Sequence, residues 1–131
     1  DKPRHFLGIG EPDDLFVGVE NGADTFDCVA PSRQARTSSV FTKNGRVNIS
    51  NAPHKREFIP IEDDCSCYTC RNYTRAYLCH LFRSKEMVAS TLATIHNQHF
   101  IVGLVAKMRQ TIIDGDFFEF KKEFMGRYYG K

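Results

Sequence analysis

Three cysteines packed into six residues, Cys65, Cys67 and Cys70, constrain the fold of this chain more than any other feature. Their spacing is Cys-x-Cys-x2-Cys, and thiols at that density have few uses besides gripping a metal. Zinc binds thiolate and imidazole tetrahedrally, so a Cys3His set fills every position and leaves none for a substrate water. A metal held that way is structural. Disulfide bonding is the competing reading, but Cys65 and Cys67 are too close in sequence to bridge easily, and a total of five cysteines cannot pair completely. Downstream, Cys79, His80, His96 and His99 all offer a fourth ligand, and spacing alone does not choose among them.

At 131 residues, 41% hydrophobic and 26% charged, the chain is ordinary globular material with enough apolar side chains for one core. No apolar run approaches the roughly 20 residues that a membrane helix needs, so no membrane span is expected. No signal-like apolar stretch follows the first residues, and the free thiols fit a reducing, cytoplasmic home. The chain opens on Asp1 without an initiator Met, which suggests a piece of something longer.

The net charge of +2 becomes informative once it is mapped along the chain. Residues 1–31 carry seven acids against two Lys/Arg, whereas residues 32–56 hold Arg33, Arg36, Lys43, Arg46, Lys55 and Arg56 with no acid at all. Most short basic segments are solvated loops or hairpins. The interleaved Ser, Thr, Asn and Gln side chains, however, also suit phosphate contact.

Local pattern gives alternating elements first. His5 to Ile9 reads as a strand ending in a glycine turn, Glu11-Pro12-Asp13-Asp14 as a helix start, and Gly22 as its stop. Thr25 to Ala30 reads as a second strand closed by Pro31. This is one βαβ unit, with two parallel strands and a crossover helix. Val40 to Ile49 alternates around Asn44-Gly45, a hairpin signal. From Tyr73 the period is helical, with Tyr77, Leu78, Leu81 and Phe82 on one face. A long helical stretch follows from Glu86 to Ile113, interrupted near Asn97, and Asp116-x-x-Glu119 reads as a capping box for a last helix bearing Phe117, Phe120 and Phe124.

A single βαβ unit cannot make a complete parallel sheet, because buried parallel strands need neighbours on both sides and helices on both faces. The sheet containing residues 1–31 is therefore expected to be completed by other residues. Open strand edges also invite self-association. Asp27, at the C-terminal end of the second strand, lies where α/β barrels build their active sites. By pattern alone the simpler reading is a turn acceptor, or a partner for Arg33.

Several stretches in order carry a resemblance. They are Leu7-Gly8-Ile9-Gly10-Glu11-Pro12-Asp13-Asp14, then Gly22 to Arg33 with Arg36, then Cys65, Cys67, Cys70 and His96 with Tyr73-Thr74-Arg75-Ala76-Tyr77 between. Across essentially the whole chain these resemble tRNA-guanine transglycosylase, the queuine tRNA-ribosyltransferase family. The resemblance implies an α/β fold, the C-terminal fragment of a (β/α)8 TIM barrel with an inserted zinc-binding subdomain and C-terminal helices. The implied division is 1–31 for the last βαβ unit, 32–60 for a basic loop and β-hairpin, and 61–131 for the zinc-binding subdomain and closing helices. A complete barrel needs roughly 250 residues.

The family replaces the wobble guanine of a tRNA anticodon with a 7-deazaguanine. The resemblance implies that Asp27 is the nucleophile, that Arg33 and Arg36 grip the anticodon nucleotides, and that Leu7 and Gly8 form part of the base-pocket wall. It selects His96 as the fourth ligand of a structural Zn2+. Glu86 matches a position near the subunit interface of bacterial members, although a solvated helix-face Glu is the simpler reading. Partners implied are the tRNA anticodon loop, a 7-deazaguanine base and a second subunit, identical or related, in the full-length protein. The remaining acid-base and base-recognition side chains belong to upstream strands, so this fragment alone is expected to be inactive. The alternative is a noncatalytic, zinc-stabilised tRNA-binding module or accessory subunit.

Overall fold

Two glycines and a proline set the limits of the first elements. The computed structural model describes residues 2–130. Strand β1 spans His5–Leu7, helix α1 Pro12–Glu20 and strand β2 Thr25–Asp27. The strands pair in parallel with His5 opposite Thr25, Phe6 opposite Phe26 and Leu7 opposite Asp27, so the expected βαβ unit is present. Both strands are shorter than the pattern suggests. Gly8 takes φ +77, a left-handed conformation that ends β1, and Pro12 enters α1 in its first turn with Asp13 and Asp14 beside it.

Residues 32–36, expected as loop, belong instead to helix α2, Ala30–Arg36. Pro31 stops a strand but is equally suited to a helix first turn, where its missing N–H costs nothing. Arg33 and Arg36 then fall in the last turn, where the helix dipole favours cations. Strands β3 (Ser39–Thr42) and β4 (Gly45–Asn48) form the expected antiparallel hairpin. Its two-residue connection is Lys43–Asn44, one position before the Asn-Gly pair, because Thr42 pairs with Gly45. A 3-10 turn at Ala52–Arg56 follows. Arg75 then ties the next loop down, donating from Nε to the Pro60 carbonyl and from Nη2 to that of Ile61.

Helices α3 (Tyr68–Asn72), α4 (Arg75–Arg83), α5 (Met87–Asp114) and α6 (Phe117–Tyr129) complete the chain. Contrary to expectation α5 runs unbroken through Asn97. The reason is tertiary: that side chain is fully buried and its amide is completely hydrogen-bonded by neighbouring backbone. The capping box also fails to form. Asp116 follows the left-handed Gly115 directly, adopts φ −109 and ψ 13, and makes no side-chain cap hydrogen bond.

Along α5 the buried positions Ala89, Leu92, Ala93, His96, Asn97, Leu104, Met108 and Thr111 form one stripe at helical spacing. That stripe serves two cores. Its first half packs on Ala35, Val40, Ile49, Ile61, Leu78 and Leu81. Its second half packs on Leu15, Phe16, Phe41, Phe117, Phe124 and Tyr128. Strand β3 lies across both, with Val40 in one core and Phe41 in the other. His96 and Asn97 sit where the two meet. Among the described residues, no helix is long and apolar enough to cross a membrane.

Candidate functional site

Helix α3 begins on one of the three clustered cysteines. The Cys67 Sγ accepts a hydrogen bond from the Cys70 backbone N–H at 3.3 Å, so the thiol caps the helix on which Cys70 sits one turn later. Cys65 approaches from the preceding loop and His96 from the middle of α5. The four donor atoms lie within 4.8 Å of one another, and His96 Nδ1 is 3.6, 3.6 and 3.3 Å from the sulfurs of Cys65, Cys67 and Cys70. This buried Cys3His cluster can hold a metal ion. The other candidate fourth ligands point elsewhere: Cys79 towards the Asn51 carbonyl, His99 towards Ser66, and His80 to the exposed side of α4.

His96 is oriented by its other nitrogen. Nε2 stands 2.7 Å from the backbone carbonyl of Phe41, and a carbonyl only accepts, so Nε2 carries the proton. Nδ1 is thereby the ring nitrogen turned to the sulfurs, the arrangement that a metal-binding imidazole requires. Burial pushes the Cys65 and Cys70 thiols above their ordinary range. Cys67 feels the same burial, but hydrogen bonds with His96 and from the Cys70 N–H outweigh it and bring it down to about 6.

At the ends of the two parallel strands, Leu7, Gly8 and Asp27 come together. Asp27 is the last residue of β2 and is exposed, directly opposite Leu7 in the parallel register. Its carbonyl accepts from the Gly8 N–H at 2.7 Å, so the turn after β1 is clasped to the strand end that bears the carboxylate. Gly10 extends the clasp. A Cβ at that position would lie 2.4 Å from the Cys28 Cβ and 2.6 Å from its Sγ, so only glycine allows the two backbones to approach this closely. The Asp27 side chain makes no hydrogen bond or ion pair among the described residues, so it is neither the turn acceptor nor the partner for Arg33 that the pattern alone favours.

Arg33 and Arg36 lie on α2, which starts three residues after Asp27, and both are exposed. Two other cations of the basic segment are engaged, whereas Lys55 and Arg56, like Arg33 and Arg36, make no ion pair among the described residues. Lys43 pairs with Asp64 at 3.1 Å and Arg46 with Glu11 at 3.6 Å. Arg33 and Arg36 have no acidic partner among the described residues. Glu86 is exposed at the start of α5 and makes no ion pair there.

Asn97, the Phe41 carbonyl and the Gly10–Cys28 contact are the features of this region that pattern reading passes over. A signal for the first was present: an Asn on the apolar stripe of a helix, beside a candidate ligand, must have its amide satisfied by something.

Residues 1–130 match the family model described as queuine tRNA-ribosyltransferase. Three curated relatives carry that same name. The chain is 49% identical over 130 residues to the protein of Caldanaerobacter subterraneus subsp. tengcongensis, covering 99% of this chain and 35% of that one. It is 48% identical over 128 residues to the protein of Helicobacter acinonychis, covering 98% and 34%. With the protein of Helicobacter pylori strain Shi470 it is 46% identical over 131 residues, covering 100% and 35%. The chain therefore spans about a third of the length of the relatives it matches.

Proposed function

The chain belongs to the queuine tRNA-ribosyltransferase family, and from that membership we propose that it forms the C-terminal part of an enzyme exchanging the wobble guanine of a tRNA anticodon for a 7-deazaguanine. The observation that carries the reading is the exposed carboxylate of Asp27, without a partner among the described residues, at the C-terminal end of a parallel strand. In a (β/α)8 barrel that end is the catalytic face. Strands β1 and β2 with α1 are then the last βαβ unit of such a barrel, residues 32–60 bring the basic helix turn and hairpin, and residues 61–131 form the metal-bearing subdomain.

Asp27 supplies the nucleophile. One carboxylate oxygen bonds to C1′ of the ribose as the bond from C1′ to guanine breaks, and the electron pair leaves with the base. The incoming 7-deazaguanine, giving up its ring N–H proton as the expelled guanine takes one up, then attacks C1′ and returns the pair to the carboxylate. Two displacements retain the anomeric configuration, as in retaining glycosidases, with a base in place of water. Negative charge beside the carbon stabilises the oxocarbenium-like transition state. Leu7 and Gly8, fixed next to Asp27 by the strand register, form part of the wall against which the base rests. Arg33 and Arg36, without acidic partners among the described residues, hold the anticodon phosphates and fix register rather than sequence.

The metal is zinc and its role is architectural. A tetrahedral ion with bonds of about 2.3 Å to sulfur and about 2.0 Å to nitrogen puts its S and N ligands about 3.5 Å apart. The observed 3.3–3.6 Å fits that requirement. Cys65, Cys67, Cys70 and His96 would hold the ion, and four protein ligands leave no position for substrate. A cytoplasmic enzyme acting as a dimer fits both free thiols and the substrate class.

The test is an adduct trap on the full-length protein. Incubated with tRNA and quenched in denaturant, it should yield a covalent protein–RNA species that Asp27→Ala lacks. An unmodified RNA despite tight binding would instead favour the noncatalytic tRNA-binding module.

A further inference from the structure

Asn97 uses every hydrogen-bonding group of its buried amide, and base exchange as proposed above assigns it nothing. Its Oδ1 accepts from the Phe41 N–H at 3.0 Å, and its Nδ2 donates to the carbonyls of Pro31 and Ser39, both at 3.0 Å. Both amide hydrogens and the oxygen are used, and the residue is fully buried. Those partners lie on two different elements, the first turn of α2 and the strand β3. The adjacent His96 grips the other backbone group of Phe41 through its carbonyl. Consecutive residues of α5 thus bind both the N–H and the C=O of one residue, while the second of them reaches on to α2.

Helix α2 begins at Ala30, three residues beyond Asp27, and carries Arg33 and Arg36. A helix of seven residues has little stability of its own, since isolated helices need about twice that length. Its orientation is set by what it packs on. Among the described residues, α2 and α5 are joined by hydrogen bonding only at Pro31, where Asn97 supplies a directional anchor. Apolar packing permits sliding and rotation, whereas a hydrogen bond from a fully committed amide fixes one register.

We infer that Asn97 is a positioning residue: by holding the Pro31 carbonyl it fixes α2, and with it the segment joining Asp27 to Arg33 and Arg36, against the helix that carries His96. No smaller or isosteric side chain substitutes. Asp keeps the acceptor for Phe41 but lacks both donors, and Leu lacks all three partners.

The inference rests on the base-exchange reading for its catalytic consequence but not for its structural one, and the experiment separates them. Asn97→Ala, Asn97→Asp and the control Met108→Ala are made in the full-length protein. Met108 is buried further along α5 in the second core and hydrogen-bonds to none of the three Asn97 partners, so its loss gives a comparable destabilisation without the anchor being touched. Metal content, hydrogen exchange of the α2 amides, and the single-turnover rate of adduct formation with an anticodon stem-loop are measured for each. Both Asn97 variants should keep one metal per chain, lose at least tenfold protection in α2, form adduct at least tenfold more slowly and need more RNA for half-saturation. Met108→Ala should show none of the local loosening. Asn97→Asp should in addition retain protection at the Phe41 amide. Unchanged α2 protection, or a loss of rate no greater than in Met108→Ala, overturns the inference. If the parent protein forms no adduct, the base-exchange reading fails, and α2 exchange alone decides whether Asn97 holds the helix.

Discussion

His96 Nε2 lies 2.7 Å from the backbone oxygen of Phe41, so the imidazole turned towards three thiols is braced by the strand that crosses both cores. Metal binding and the packing of β3 on α5 are therefore one event. Replacing Cys67 by Ser should abolish stoichiometric metal uptake and lower the melting temperature by at least about 10 °C, since metal-binding energy is folding energy here. Elemental analysis and thermal unfolding check it; full metal content with an unchanged melting temperature contradicts it.

Proton release offers an independent view of the same cluster. Cys65 and Cys70 are held neutral by burial, whereas in Cys67 hydrogen bonding outweighs the same burial and leaves a thiolate at neutral pH. Metal uptake near pH 7.5 should displace two protons, those of Cys65 and Cys70, so affinity falls up to about 100-fold for each unit of acidification. In the metal-free protein the sign is separable. The Cys67 pKa is depressed from 9.0 to about 6, so its contribution is full above about pH 9 and lost as pH falls through 6. Calorimetry in buffers of different ionisation enthalpy counts the protons, and a value of one or less contradicts the assignment.

Gly10→Ala introduces a methyl group 2.4 Å from the Cys28 Cβ, a contact that one of the two backbones must relieve. Overpacking of this kind costs about 1–3 kcal/mol. Because the displaced residue adjoins Asp27, the loss of activity should exceed what the stability loss explains, while metal content stays intact. Wild-type turnover in the Ala variant would show that the clasp between residues 8–10 and 27–28 does not set the carboxylate.

Arg33→Ala and Arg36→Ala should leave the fold untouched, since both side chains are exposed and lack acidic partners among the described residues. Each should raise the tRNA concentration for half-saturation about tenfold and reduce the salt dependence of binding by about one phosphate contact. A salt slope identical to that of the parent protein would take these residues off the RNA.

Much of this was legible in the residues, and the failures share a cause. The βαβ unit, the hairpin and the Cys-x-Cys-x2-Cys knuckle are local patterns, and all form. Helix α2 was hidden because Pro31 signals a strand end and a helix start with equal force, and only packing on α5 decides. The uninterrupted path of α5 through Asn97 was hidden because an Asn disfavours helix interiors unless its amide is satisfied, and its partners Pro31, Ser39 and Phe41 are all more than fifty residues away. Asp116 has a capping sequence, yet the left-handed turn at Gly115 places its backbone outside the extended conformation that capping needs. Choosing His96 over His80 and His99 required either the family resemblance or the fold, since spacing did not distinguish them.

The most direct test is Asp27→Asn in the full-length protein, which removes the charge and nucleophilicity while keeping the shape. Because the side chain is exposed and has no partner among the described residues, folding, metal content and tRNA affinity should be preserved. Adduct formation with tRNA, read as a denaturation-resistant shift in electrophoretic mobility, should vanish together with guanine exchange. A covalent tRNA species of undiminished yield from the Asp27→Asn variant would place the nucleophile elsewhere.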